Sequence, residues 1–394
     1  MIMRMARGAT PAGALPPGLP LCTDARLSAR GDDGVSRYSQ ELGAAMRLID
    51  PSLWLLHDRF TIAGTGKSRL ERWRRWLETR RYVTDYPVVP DQDGRLVGRD
   101  VFRRLNVHFD RFGEVTTLQP SGMTCGIAHW SYPMPVRMKG WINIYTVHDT
   151  VPFDAPALTD IDPARHRRVL DAIAPGAAAF ATVSEAAQAD LQRWFGDGIA
   201  IVDCGQSVTP VPPTADMLPA GLTSGGYYLF CGREEARKNV PRLIAAWRQS
   251  GAKRPLVLVG PGQIAGVEDG LVRLPVQAGA MLSALQAGAR ALLFPSLVEG
   301  FGRPIAEAMV LGTAVLTSRG HATQEVAGDA ALLVDPIDTA AIAAGIAALD
   351  TDDALVAGLI AAGQERAPAF SCARFAERLS TLYASSIVKA VSHP

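Results

Sequence analysis

Short apolar runs recur along the chain at helix-length intervals, and each ends in glycine or polar residues. In the second half the runs are Tyr227–Cys231, Pro255–Val259, Ala291–Phe294, Ala314–Thr317 and Ala330–Val334. Continuous apolar runs of strand length, separated by helical segments, predict buried parallel strands in a doubly wound α/β sheet. The first half repeats the pattern less regularly, with strands expected at Leu19–Ala25, Trp54–His57, Asn143–Val147 and Ala179–Val183. Open α/β sheets place their ligands at the polar ends of such runs. Val208-Thr-Pro-Val-Pro-Pro-Thr214 reads as a proline-rich linker between the halves, and no solenoid repeat is present.

Length agrees with two halves, since 394 residues make about two domains. Hydrophobic residues at 48% and charged residues at 20% supply packed cores and exclude a mainly disordered chain. Lys plus Arg is 40 against 39 Asp plus Glu, so the basic surplus of a dedicated nucleic-acid binder is missing. No stretch reaches the ~18 uninterrupted apolar residues of a spanning helix. The net charge of +1 conceals a split, +3 over residues 1–200 and −2 over 201–394. Five scattered cysteines without C-x-x-C spacing fit a reducing cytoplasm better than a disulfide framework or a zinc site. Prolines interrupt the start of the chain, which reads as a floppy extension rather than a secretion signal.

Some motifs mislead. Gly64-Thr-Gly-Lys-Ser68 resembles the end of a P-loop, but Thr61 stands where the first glycine is needed. Asp-x-Asp occurs at Asp91–Asp93, Asp160–Asp162 and Asp350–Asp352, none after a strong strand, so solvated loops are expected there rather than metal sites. Arg30-Gly-Asp-Asp-Gly34 lacks the G-x-G-x-x-G pattern of a dinucleotide fold.

The segment Phe294-Pro-Ser-Leu-Val-Glu299-Gly300-Phe301-Gly302-Arg303-Pro304-Ile-Ala-Glu307 carries more chemistry. A buried strand ends at Phe294, glycines open the backbone to a ligand, and Pro304 suits a helix start with Glu307 in its first turn. Carboxylates and free N–H groups together suit a ligand rich in hydroxyls and anionic oxygens. Upstream, Gly232-Arg233-Glu-Glu-Ala-Arg237-Lys238-Asn239 puts three cations at another strand end, as a diphosphate requires, with Asn239 as the N-cap of the next helix.

These two segments, with Gln324–Pro336, closely resemble glycosyltransferase family 4, whose members are retaining, nucleotide-sugar-dependent enzymes of the GT-B fold. Asp24 with Gly34-Val-Ser-Arg37-Tyr38, Thr146-Val-His148-Asp149 and Thr182-Val-Ser184-Glu185 extend the likeness in order, from about Leu19 to Tyr383. The resemblance implies two facing Rossmann-like domains and a crossover helix. Residues 1–17 become a flexible extension, 18–205 the acceptor domain, 206–219 the linker and 220–370 the nucleotide-sugar domain. Residues 371–394, helical from about Cys372 to Val388, return to the first domain. Arg233 and Lys238 would bind the donor diphosphate. Glu299 and the Gly300-Phe301-Gly302 backbone would hold the sugar, Glu307 the ribose, and His148 would face the sugar across the cleft. Gly34 would let the first-domain loop approach the diphosphate. Ser36 and Cys372 depart from residues common in the family.

The resemblance further implies front-face attack, with no metal and no cofactor beyond the nucleotide sugar. Tyr132-Pro-Met-Pro and Tyr145-Thr-Val-His-Asp149 are similar to bacterial mannosyltransferase-like members, so mannosyl transfer from GDP-mannose to a cell-surface glycan or lipid-linked acceptor, as in lipopolysaccharide synthesis, is expected. A silent nucleotide-sugar-binding protein, or a phosphorylase or epimerase of the same fold, is the alternative. Lys67–Arg81 holds seven basic residues around Leu70, Trp73, Trp76 and Leu77. It reads either as a helix on an anionic membrane surface or as an ordinary amphipathic helix packed on its domain. The expected location is the cytoplasm, peripheral at the inner membrane face if the first reading holds.

Overall fold

The computed structural model describes residues 15–16, 18–27, 34–59, 73, 76–78, 81–213, 218–262 and 265–392. Two sheets organise it. The first contains β1 (Leu21–Asp24), β2 (Trp54–Asp58), β3 (Asp85–Pro90), β4 (Arg95–Gly98), β5 (Thr116–Pro120), β6 (Ile127–Trp130), β7 (Val136–Met138), β8 (Ile142–Thr146), β9 (Ala179–Thr182) and β10 (Ala200–Asp203). Their spatial order is β10-β9-β8-β6-β1-β2-β4-β3-β5-β7. The second contains β11 (Tyr228–Cys231), β12 (Leu256–Val259), β13 (Gly266–Glu268), β14 (Leu271–Leu274), β15 (Ala291–Phe294), β16 (Ala314–Ser318) and β17 (Leu332–Val334), ordered β13-β14-β12-β11-β15-β16-β17.

The expected α/β class holds, and the apolar runs of the second half are fully buried in β11, β12, β15 and β16. Phe230 and Phe294 stack between neighbouring strands with ring centroids 6.0 Å apart. The sheets are not wholly parallel. The β3–β4 pair is antiparallel, so β3, β5 and β7 run against the inner strands. A tight turn causes this: Asp91 Oδ1 accepts the N–H groups of Asp93 and Arg95, each at 2.9 Å. The first Asp-x-Asp pair is thus a hairpin device. Asp162 and Asp352 cap the helices that follow them, and Asp350 accepts from Arg254 at 2.8 Å.

Among the helices are α1 (Gly34–Ile49), α2 (Glu185–Phe195), α3 (Val240–Gln249), α4 (Arg303–Val310), α5 (His321–Ala327) and α6 (Cys372–Ser392). In each sheet the chain fills one side of its first strand, β2 to β5 beside β1 and β12 to β14 beside β11, then reverses to the other side, with β7 returning to the far edge of the first. Those reversals flank β1 and β11, where open sheets form a binding crevice. Helix α6 crosses back to α1. Phe375 packs on Tyr38 at 5.8 Å between ring centroids, and the Tyr383 hydroxyl meets His129 Nδ1 at 2.8 Å.

The P-loop-like Gly64–Ser68 lies outside the described residues, as does most of Lys67–Arg81. Of that stretch, Trp73, Trp76 and Leu77 are 60%, 43% and 40% exposed. Among the described residues no helix is long and apolar enough to cross a membrane.

Candidate active site

The turn after β11 and the loop after β15 lie on either side of the second crevice. Asn239 knits them together. It begins α3 in a left-handed conformation, φ 60°, and its side chain makes no cap. Its amide instead donates to the carbonyls of Pro295 at 3.0 Å and Pro336 at 2.7 Å. Two loop carbonyls outcompete the capping role expected of it. The Leu297 N–H donates to Arg237 O at 2.7 Å, which completes the seam.

Held this way, Lys238 and Arg237 converge on Glu299. Lys238 Nζ donates to Oε1 and Arg237 Nη1 to Oε2, both at 2.6 Å. Burial favours a neutral carboxyl, but the two cations outweigh it and hold Glu299 below the usual carboxylate range. Burial lowers the Lys238 ammonium, with Glu299 opposing. Lys238 Nζ also stands 4.6 Å over the Phe294 ring centroid. Arg237, one of the three cations expected at this strand end, bonds Glu235 at 2.8 Å and also grips Glu299. Arg233 stands apart. Its side chain is 60% exposed and 3.6 Å from Glu235, open to an incoming anion. Glu234 pairs with Arg273 at 2.7 Å.

The glycine loop touches the other half. A Cβ on Gly300 would lie 2.1 Å from His148 O and 3.0 Å from Asp149 Cβ. The Ser184 hydroxyl donates to Gly300 O at 2.7 Å. The missing side chain thus admits the opposite backbone, beyond the ligand approach expected of it. Gly302 has φ +93°, which L side chains rarely adopt, and it begins α4. Phe301 turns inward, edge-on to Phe370 at 6.0 Å. Gly34 opens α1, where a Cβ would meet nothing within 4 Å.

His148 meets the carbonyl of Ser131 through Nε2 at 2.9 Å and Tyr38 edge-on at 4.6 Å between centroids. A carbonyl only accepts, so Nε2 carries the proton and Nδ1 is left as an acceptor. Burial pushes the imidazole down to about 4, so it is neutral near pH 7. Asp149 escaped the sequence reading as a site residue. Burial raises its carboxyl while Arg237 opposes, and its Oδ1 accepts from Val151 N at 3.1 Å. With Glu299, Gly300, Asp190, Arg193 and His321, it lines an interdomain cavity of about 90 Å³.

Glu307 sits deeper than expected. Helix α4 starts at Arg303, so Glu307 is its fifth residue and faces Arg303 one turn back rather than the helix N-terminus. Arg303 Nε and Arg37 Nη1 both donate to Oε1 at 2.8 Å, and Gln286 Nε2 donates to Oε2 at 2.9 Å. Arg303 also reaches Glu41 with two nitrogens at 2.7 and 2.6 Å. Arg37 and Glu41 lie one turn apart on α1, as Arg303 and Glu307 do on α4. The four pair crosswise between the halves. That i,i+4 spacing was a signal in the sequence, but nothing there set one helix against the other. On a second front, Glu325 Oε1 and Oε2 accept the N–H groups of Glu185 and Ala186 at 2.8 and 2.9 Å. Among the described residues no group of three or more His, Cys, Asp and Glu could hold a metal ion.

Known proteins are similar in sequence or in fold. The family described as glycosyl transferases group 1 matches residues 225–352. The O-antigen chain mannosyltransferase B of Escherichia coli is 32% identical over 269 residues, 61% of this chain and 69% of that protein. A sucrose-phosphate synthase from Thermosynechococcus elongatus superposes with TM-score 0.66 at 19% identity, covering 94% of this chain and 100% of that one. The Anabaena protein HepE, solved with UDP and glucose, gives TM-score 0.61 at 13% identity over 93% and 100%. With the two facing sheets, the crevice at β11 and the returning α6, these likenesses establish that the chain belongs to the GT-B glycosyltransferases of the family 4 type.

Proposed function

We propose that this glycosyltransferase moves a mannosyl unit from GDP-mannose to a growing cell-surface glycan or lipid-linked acceptor, with retention at the anomeric carbon. The likeness to the Escherichia coli O-antigen mannosyltransferase is the observation that carries the choice of sugar. Arg233, Arg237 and Lys238 surround the strand end where a diphosphate would lie. The difficult step breaks the anomeric C–O bond and builds charge on the departing diphosphate. Fixed cations pointed at that charge lower the barrier, typically by about 3–4 kcal/mol per donor. Retention in hydrolases uses a carboxylate nucleophile and an acid ~5 Å apart. Here Glu299 is tied to two cations, which suits holding hydroxyls rather than attack. On the front-face route that the family resemblance implies, the acceptor oxygen attacks on the face the diphosphate leaves, and a phosphate oxygen takes its proton.

The deciding experiment incubates the enzyme with GDP-mannose, UDP-glucose, UDP-N-acetylglucosamine and a lipid-linked acceptor, and reads product linkage by NMR. An α-mannosyl product from the α-linked donor, with nucleotide release dependent on acceptor, is expected. A β-linked product would overturn retention, and transfer from a UDP sugar alone would overturn the donor. Sugar phosphate release, or binding without turnover, would favour the phosphorylase or the silent binder. Because Arg and Lys supply the positive charge, EDTA should leave the rate unchanged; a loss restored by Mg²⁺ would overturn metal independence. Vesicle flotation tests the membrane reading of Lys67–Arg81. Binding to anionic vesicles that survives Trp73→Ala with Arg74→Ala would remove that stretch from the interaction.

A further inference from the structure

Glu307 is crowded by neighbouring side chains. It accepts three hydrogen bonds, two at Oε1 from Arg37 and Arg303 and one at Oε2 from Gln286. An ionised carboxylate offers about four lone-pair sites. A ribose 2′,3′-diol brings two donors, and roughly one site is left for them. One resident donor has to leave before both hydroxyls can bind.

The three residents are not held equally. Gln286 is 2% exposed in the second half's core. Arg303 is anchored elsewhere by two bonds to Glu41, and its side chain is 11% exposed. Arg37 holds Glu307 through one nitrogen, and its side chain is the more exposed of the two ion-pair partners, at 19%. It also comes from the opposite half, so it can retreat without unpicking the second half's packing. A buried carboxylate stripped of a cation is costly, and Arg303 remains beside Glu307 when Arg37 leaves.

We propose that Arg37 is a positioning residue that occupies the ribose site of Glu307 and is displaced by the 2′,3′-diol of the donor nucleoside. This rests on reading Glu307 as the ribose acceptor. Arg37 then keeps the buried carboxylate paired until a full diol arrives. A nucleotide with a single ribose hydroxyl uses the spare site and leaves Arg37 in place. Displacement acts as a tax on ribonucleotide affinity.

Calorimetry tests this with GDP, UDP and ADP and their 2′-deoxy counterparts, on wild type, Arg37→Met and Arg37→Lys. Arg37→Met should bind the preferred ribonucleotide about tenfold tighter, a relief expected when the pair is mostly formed, with the 2′-deoxy form within about twofold of wild type. Arg37→Lys should restore the wild-type ratio. Three results overturn the proposal. Weakening of both forms makes Arg37 a direct ligand contact. Equal tightening of both means it acts on closure rather than on the diol. No change in either means the pair is inert.

A readout without nucleotide separates this from the donor reading. Melting temperatures of Arg37→Met, Glu307→Gln and the double variant should be non-additive by a few degrees if the pair exists in the empty protein. Additivity overturns the proposal directly. A wild type that binds none of the six ligands while the cycle stays non-additive overturns the donor reading, and the displacement falls with it by that separate route.

Discussion

Lys238 and Glu299 are 2.6 Å apart and nearly enclosed, with side chains 10% and 6% exposed. Removing one partner leaves the other charged and buried, a penalty of about 3–5 kcal/mol in such settings. Lys238→Met should therefore lower kcat/KM by about 10²-fold or more and also lower the melting temperature. Near-normal turnover in a folded variant would remove Lys238 from the site. His129 makes a different prediction. It is fully buried between Tyr383 and Thr146, and burial pushes it from 6.5 down to about 3. The fold favours its neutral form, so its stabilising contribution is complete above pH 6.5. That contribution is lost as the pH falls toward 3, because the unfolded chain takes up a proton that the folded one refuses. Stability should drop on going from pH 7 to pH 5, by at most about 1.4 kcal/mol per pH unit from this residue. His129→Gln should flatten that slope in denaturant titrations; an unchanged slope would assign the acid sensitivity elsewhere.

The loop between β15 and α4 works as a unit. Its left-handed Gly302 turns the chain into the helix, and its Gly300 lets the opposite backbone in. Gly300→Ala would put a methyl 2.1 Å from the His148 carbonyl, so the halves could no longer meet there. The variant should fold, since Gly300 has no special backbone angle, yet lose about 10²-fold in kcat/KM through misplacement across the cleft. Small-angle scattering should show a larger radius of gyration than wild type; an unchanged radius with full activity would mean the close approach is dispensable. The loop itself was visible in the sequence, because a buried strand, two glycines and a proline follow one another locally. Its contact with His148 was not, since 152 residues separate His148 from Gly300 and only docking of the two halves joins them. Asn239 shows the same limit: its cap position was readable, but its carbonyl partners come from two other loops.

Across the molecule, α6 belongs to the first half's core although it ends the chain. Phe375, Leu379 and Tyr383 are 2% exposed or less. Tyr383→Ala removes a buried ring and the hydroxyl that satisfies His129, and should cost about 3–5 kcal/mol in chemical unfolding. A cost confined to unfolding of the second half would show that the crossover is only a tether. The apolar strands, the sheet class and the chemical groups at the strand ends could be read in order along the chain, because burial imposes its pattern on consecutive residues. The reversed outer strands could not, since their direction follows from a hairpin turn and distant pairing rather than from apolar content. Nor could Arg37–Glu307 and Arg303–Glu41. Those pairs join residues 270 and 262 positions apart. Charge at a helix surface is compatible with solvent or with any partner, and its pairing is settled only when two folded halves bring opposite charges within a few ångströms.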